Sequence, residues 1–100
     1  EKQRLAEERK QRLEDEKRNT RILLNRANDY EMACKIRAYI SAVTQFQPLT
    51  EEMIKWVKWA SDKADWFDPI VRREDEFFGK REHDKADDDK NIFNKSRYGY

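Results

Sequence analysis

All three tryptophans, Trp56, Trp59 and Trp66, fall between Thr50 and Pro69, and the clearest helix boundaries of the chain fall there too. Thr50 carries the hydroxyl of a good N-cap. Glu51 and Glu52 follow in the first turn, where negative charge suits the positive end of the helix dipole. Leu49 and Ile54 form a candidate hydrophobic staple. Asp68-Pro69 is the stop, because proline disfavours helical geometry in the residue before it. Between these ends Met53, Val57, Ala60, Ala64 and Phe67 make one apolar stripe at three- and four-residue steps, and the tryptophans widen it on one side. A stripe this wide needs two neighbours, or a neighbour from another chain. Two readings of the tryptophans stand: core residues of this chain, or one or two of them anchors for a partner, a common use of tryptophan. The candidate partner-binding residues are Trp56, Trp59, Trp66 and Phe67, joined farther on by Phe77 and Phe78.

The element that covers this stripe is expected just upstream. Ile22, Arg26, Tyr30, Ala33, Ile36, Ile40 and Val43 follow one helical stripe with a single polar break at Arg26. Leu23, Ala27, Cys34, Ala38, Tyr39, Ala42 and Phe46 flank it. Asn25, Asn28 and Asp29 are poor residues for a helix interior, and Asn28 with Glu31 has the spacing of a capping box. The apolar phase nevertheless runs through without a break, which predicts one continuous helix. Gln47-Pro48 ends it, and the short link to Thr50 predicts an antiparallel helical hairpin. In that hairpin Tyr39, Val43 and Phe46 should lie near Met53, Ile54 and Val57, and Tyr30, Ala33 and Ile36 near Ala64, Trp66 and Phe67. A two-helix hairpin of this size is marginal alone. The missing burial is expected from a third helix, a dimer mate or a host protein.

Residues 1–20 hold Leu5, Ala6 and Leu13 as their apolar side chains among Glu, Lys, Arg and Gln, all good helix formers. Glu8–Arg12 and Glu14–Arg18 have the favourable i,i+4 order. No third leucine sustains a heptad, so support for a coiled coil is weak. The arm reads as a solvated helix; the competing reading is a nucleic-acid contact through Arg9, Arg12, Arg18 and Arg21, aided by Arg97 and Tyr98.

After Pro69 the texture is charged, with isolated apolar pairs at Ile70-Val71, Phe77-Phe78 and Ile92-Phe93. A turn is expected there, then a short helix over about Arg72–Phe78, then irregular chain. Phe77, Phe78, Ile92 and Phe93 either pack back on the open side of the tryptophan helix or serve as pegs for a partner. The predicted fold is therefore all-α: a charged helical arm (1–21), an antiparallel helical hairpin (22–69) and a mostly irregular charged tail (70–100).

Charged residues make up 43% of the chain and the net charge is +1, so there is no strong global field for nucleic acid or an anionic membrane. No apolar run is long enough to span a bilayer. The single cysteine, Cys34, excludes an internal disulfide; it falls on an apolar face and reads as a buried inert thiol. A reducing cytoplasm is the expected compartment. The chain begins at Glu1 in mid-pattern, which predicts a piece of a longer protein or a processed form. His83 among acidic residues is a generic surface pattern, not a metal site. Asp87-Asp88-Asp89-Lys90-Asn91 begins like a calcium loop, but Ile92 stands where that loop needs glycine and Tyr98 where it needs glutamate. Two glycines, Gly79 and Gly99, make no phosphate-cradling loop. No catalytic set, cofactor or metal is expected, and no enzyme.

The run Ile36-Arg37-Ala38-Tyr39-Ile40-Ser41-Ala42-Val43, followed by Trp56, Trp59-Ala60, Ala64-Asp65 and Asp68-Pro69, resembles the C-terminal region of a group of uncharacterised bacterial proteins. In these a long Arg/Glu-rich helix leads into the same hairpin signature, behind an N-terminal helix-turn-helix-like segment. The resemblance covers residues 1–69, and residues 70–100 depart from it. It implies a DNA-associated bacterial protein whose tail mediates association, with any nucleic-acid contact made through another part of the full protein. Three functions follow as expectations. The first is a non-enzymatic oligomerisation or partner-docking module, with a protein partner or a second copy. The second is a nucleic-acid-binding accessory segment. The third is a small inhibitor or antitoxin-like protein that covers a partner with its tail.

Overall fold

The computed structural model describes residues 1–86. The acidic run at 87–91, Ile92, Phe93, Arg97 and Tyr98 lie outside the described residues. The chain is all-α, with α1 at Lys2–Phe46 and α2 at Glu51–Phe67. α1 runs 45 residues without interruption, so Asn28 and Glu31 do not start a new helix. It ends at Gln47, whose backbone is extended and whose N–H reaches back to Val43 O at 3.0 Å. Thr50 then caps α2, its hydroxyl accepting from Met53 N at 3.1 Å. Asp68 closes α2 in extended geometry, just ahead of Pro69.

α2 returns along the second half of α1. Near the connecting turn, the Tyr39 and Trp56 rings meet edge to face at 6.0 Å. At the other end Arg37 bridges Asp65 and Asp68 at 2.9 and 2.8 Å. The buried apolar core is small: Ala33 and Ile40 from α1, Ala60, Ala64 and Trp66 from α2. Three of these five are alanines, which let the helix backbones approach closely, and Trp66 supplies the bulk.

Several expectations about the hairpin need correction. Phe46 is 82% exposed, and Leu49 and Ile54 are exposed too, so the turn end is open and the staple pair does not cover it. The buried stripe of α1 passes through Asp29, Ala33 and Ile40, while Tyr30 is exposed. Cys34 is exposed rather than buried. It follows Ala33 by one position, and a step of 100° turns it off the α2 side.

The larger difference lies beyond Pro69. Residues 68–86 form no helix; they make a strap folded back onto the hairpin. Arg72 has φ 55 and Gly79 has φ 70, both left-handed, which a helix over Arg72–Phe78 does not accommodate. Asp75 explains the turn. Its carboxylate accepts from Phe77 N at 2.8 Å and Phe78 N at 2.9 Å, the local bonding by which Asp diverts backbone from a helix. Asp75 and Gly79 then exchange both backbone bonds at 2.9 Å, an isolated antiparallel bridge. Trp66 Nε1 donates to Gly79 O at 2.8 Å, pinning this turn to α2. The covering that a bare hairpin lacks is thus supplied in part by an irregular segment instead of a third helix.

The first half of α1 projects beyond the hairpin. Its charges pair locally, Arg4 with Glu8, Lys17 with Glu14 and Arg18 with Asp15. Glu8 and Arg18 thus find partners other than the expected Arg12 and Glu14. Such exposed pairs each contribute about 0–1 kcal/mol. Among the described residues no helix is long and apolar enough to cross a membrane.

Candidate functional site

The strap is fastened to α1 by a buried ionic cluster. Asp29 points from α1 into the space between the helix and the strap. Arg81 Nε and Nη2 donate to its two oxygens at 3.0 and 2.9 Å. His83 Nδ1 lies 2.8 Å from Asp29 Oδ2. A carboxylate held by a guanidinium fork is ionised and acts only as an acceptor, so His83 carries its proton on Nδ1. All three residues are buried. The Arg81 guanidinium also lies over the Phe67 ring at 4.5 Å and the Trp66 ring at 5.1 Å, a stacking that suits its planar, weakly hydrated cation. One α1 carboxylate therefore ties the end of the strap to both helices at once.

Two outer contacts extend the clasp. Arg26 Nε meets Asp84 at 2.6 Å and Asn25 Nδ2 donates to Asp84 O at 2.8 Å. The Arg26 partnership holds the Asp84 carboxyl below its usual pKa. At the start of the strap, burial pushes the Asp68 carboxyl upward, but Ile70 N–H, Arg37 and Val71 N–H outweigh it and the net shift is down. Burial likewise raises Asp75, and its bonds to Lys63, Phe78 N–H and Phe77 N–H bring it below normal.

His83 responds in the opposite sense to an ordinary ion-paired histidine. Burial is the largest influence on its pKa and lowers it; the Asp29 carboxylate raises it, the Arg72 and Arg81 cations lower it, and the net shift is down. The folded state therefore binds the His83 proton less readily than the unfolded chain, whose histidine titrates near its ordinary value of about 6.5. By linkage, this contribution to stability is fully present above that value and is lost as the pH falls through the folded-state pKa. Urea midpoints should accordingly drop on acidification below about pH 6.5, and His83→Gln should remove that step. The carboxylates Asp68, Asp75 and Asp84 give a separate decline at lower pH.

On one side of the hairpin the two helices leave an open apolar groove of about 550 Å³, within the ~300–1,000 Å³ range of binding clefts. Ile36 and Ile40 with Ala60 line its floor, and Tyr39, Trp56, Trp59, Phe67 and Phe78 its walls. Lys35 and Lys63 also line it; no carboxylate does.

The structure sorts the sequence-predicted residues by this geometry. Trp56 and Trp59 face the groove, with Trp59 58% exposed. Trp66 also lines the groove, but it is 0% exposed and packs as a core residue. Phe67 is half-buried beneath Arg81. Phe78 lies 5.5 Å from the Trp66 ring and under Lys63, while its neighbour Phe77 is 72% exposed. Arg9 and Arg12 share one side of the arm, whereas Arg18 and Arg21 lie on the opposite side at 100° per residue. The four arginines do not make a single basic face. His83, read as a surface residue, is corrected to a buried one.

No protein family, curated protein or solved structure matches this chain.

Asp29, Arg81 and His83 were not singled out by the sequence pattern as functional. A signal existed: Asp29 falls in register with Ile22, Ala33, Ile36 and Ile40. A carboxylate inside an apolar stripe needs a buried cationic partner, but nothing in the spacing names Arg81, fifty-two positions away.

Proposed function

We propose that the chain is a non-enzymatic helical assembly module that joins a second copy, or another helical protein, along the outer side of α1. The observation that carries this reading is the exposure of Leu5, Leu13, Leu23 and Leu24. At 100° per residue all four fall within one third of the α1 circumference, turned away from Asp29, Ala33 and Ile40. None of the four is covered among the described residues, and exposed apolar side chains gathered on one side of a helix mark a candidate interaction surface. Their order favours self-association. Leu5 and Ala6 lie about as far to one side of residues 14–15 as Leu23 and Leu24 lie to the other. Two antiparallel arms therefore set Leu5–Ala6 of each chain against Leu23–Leu24 of the other, a self-complementary interface. The two-sided arginine arrangement gives the nucleic-acid reading no comparable surface. The hairpin resemblance supports placing the module in a bacterial, DNA-associated protein, and the single cysteine fits a reducing cytoplasm.

Sedimentation at tens of micromolar tests the reading. The chain should run above monomer mass, and the mass should hold between low and moderate salt, because apolar contacts are not screened. Leu23→Glu combined with Leu24→Glu should return the monomer with helicity unchanged. A fully helical wild-type monomer at that concentration contradicts the proposal.

A further inference from the structure

Away from the apolar groove, the strap forms a polar cavity of its own. The bridge between Asp75 and Gly79 brings residues 72–74 alongside residues 80–83. These two limbs line a cavity of about 360 Å³, within the ~300–1,000 Å³ range of small-molecule sites. Its lining is Arg72, Arg73, Lys80, Arg81 and His83, with Glu74 as the one acid among the described residues. Three observations point to the ligand such a cavity takes.

The first is Arg72. Its φ of 55 is left-handed, a conformation unfavourable to a residue with a Cβ and open to glycine. Non-glycine residues held in that region concentrate at ligand clamps and switch segments. The Arg72 side chain forms no ion pair among the described residues. It acts on Asp84 and His83 through space, without a hydrogen bond to either.

The second is how the other cations are held. Arg73 meets Asp62 and Lys80 meets Glu74, each at 3.5 Å and each open to solvent. Pairs of this kind have little net strength, so an incoming anion can take the place of the carboxylate. Arg81 is instead fixed on Asp29, which gives the cavity a rigid wall.

The third is arrangement. The cations converge on one cavity from two limbs of the same turn. That suits a single compact anion, whereas a nucleic-acid backbone needs a track of successive contacts. The guanidinium fork matches phosphate oxygens with two parallel N–H···O bonds.

We propose that the strap cavity binds a phosphate group carrying two negative charges, either free phosphate or the end of a small phosphate monoester, with Arg72, Arg73 and Lys80 as its ligands. Bound there, the anion ties the two limbs of the strap together.

The chain has a single histidine, and His83 lines the cavity, so its imidazole proton signals report on the site. The full chain is titrated with inorganic phosphate and with glycerol 3-phosphate at about pH 7.5, above the second pKa of a phosphate monoester, about 6. Either probe should move the His83 signals saturably and raise the His83 pKa, and the tighter of the two identifies the source. Arg72→Gly should weaken binding by about tenfold, the loss of a charge-assisted hydrogen bond. It should leave the strap folded, because glycine adopts the left-handed backbone. Arg21→Gln, on the arm, should leave the affinity unchanged. No saturable shift, the same shift with sodium chloride at matched ionic strength, or equal affinity in the wild type and Arg72→Gly overturns the proposal. So does tighter binding of an oligonucleotide without terminal phosphates, because the ligand is then a phosphodiester backbone.

Discussion

Replacing Asp29 with alanine is expected to destabilise the fold by about 3–5 kcal/mol, the cost of removing one partner from a buried ion pair. The magnitude follows from what is left behind. Arg81 stays sealed between Phe67 and Trp66 with its two bonds to the carboxylate gone, and His83 loses the acceptor for its Nδ1 proton. Neither group regains water while the strap stays in place. Either the strap lifts, exposing Trp66, or the cation remains buried without the Asp29 carboxylate that its Nε and Nη2 bond. Urea unfolding checks the value through the shift in midpoint. Replacing the pair together, Asp29→Leu with Arg81→Met, should recover much of the loss, because apolar groups of similar size need no counter-charge. Arg26→Ala, which breaks the half-exposed pair with Asp84, should cost far less, because solvent screens that pair. A cost for Asp29→Ala below that of Arg26→Ala would show that the buried cluster does not fasten the strap.

The second large effect is expected at Trp66. It is the bulkiest apolar side chain in the core and is fully buried. Its ring packs edge to face on Phe67 at 5.0 Å and against Phe78 at 5.5 Å, and its Nε1 donates to Gly79 O. Trp66→Ala should cost about 3–5 kcal/mol through the cavity it leaves. Trp66→Phe should cost less, because the ring stays while the bond to Gly79 is lost, worth about 1 kcal/mol. Trp59→Ala, at a position 58% exposed, should cost far less than Trp66→Ala. Thermal and urea denaturation of the three variants gives the ranking. Equal losses at Trp59 and Trp66 would mean that the two indoles share one environment, contrary to the burial pattern.

Much of the hairpin was legible because its signals are local. Thr50, Gln47-Pro48 and Asp68-Pro69 act on the backbone beside them, and the stripe through Ala33 and Ile40 repeats within one helix. The continuity of α1 was legible for the same reason. What escaped the pattern depends on residues far apart. Asn25 and Asp29 are poor helix formers whose side chains are used by Asp84, Arg81 and His83, more than fifty positions later. The strap has no periodicity to read. Its shape comes from Asp75 bonding its own neighbours and from left-handed backbone at Arg72 and Gly79. Apolar periodicity also misjudged which aromatic residues are free. Trp59 and Trp66 lie two turns apart on one helix, and only the strap, arriving from outside the pattern, covers one and leaves the other.

That an irregular strap, clasped through a single α1 carboxylate, completes the fold is tested most directly by amide hydrogen exchange of the full chain. The backbone N–H groups of Arg72, Phe77, Phe78 and Gly79, each bonded to Asp68 or Asp75, should exchange slowly and together with those of α2. Exchange at the rate of unstructured peptide over residues 70–84, with α2 still protected, would contradict it.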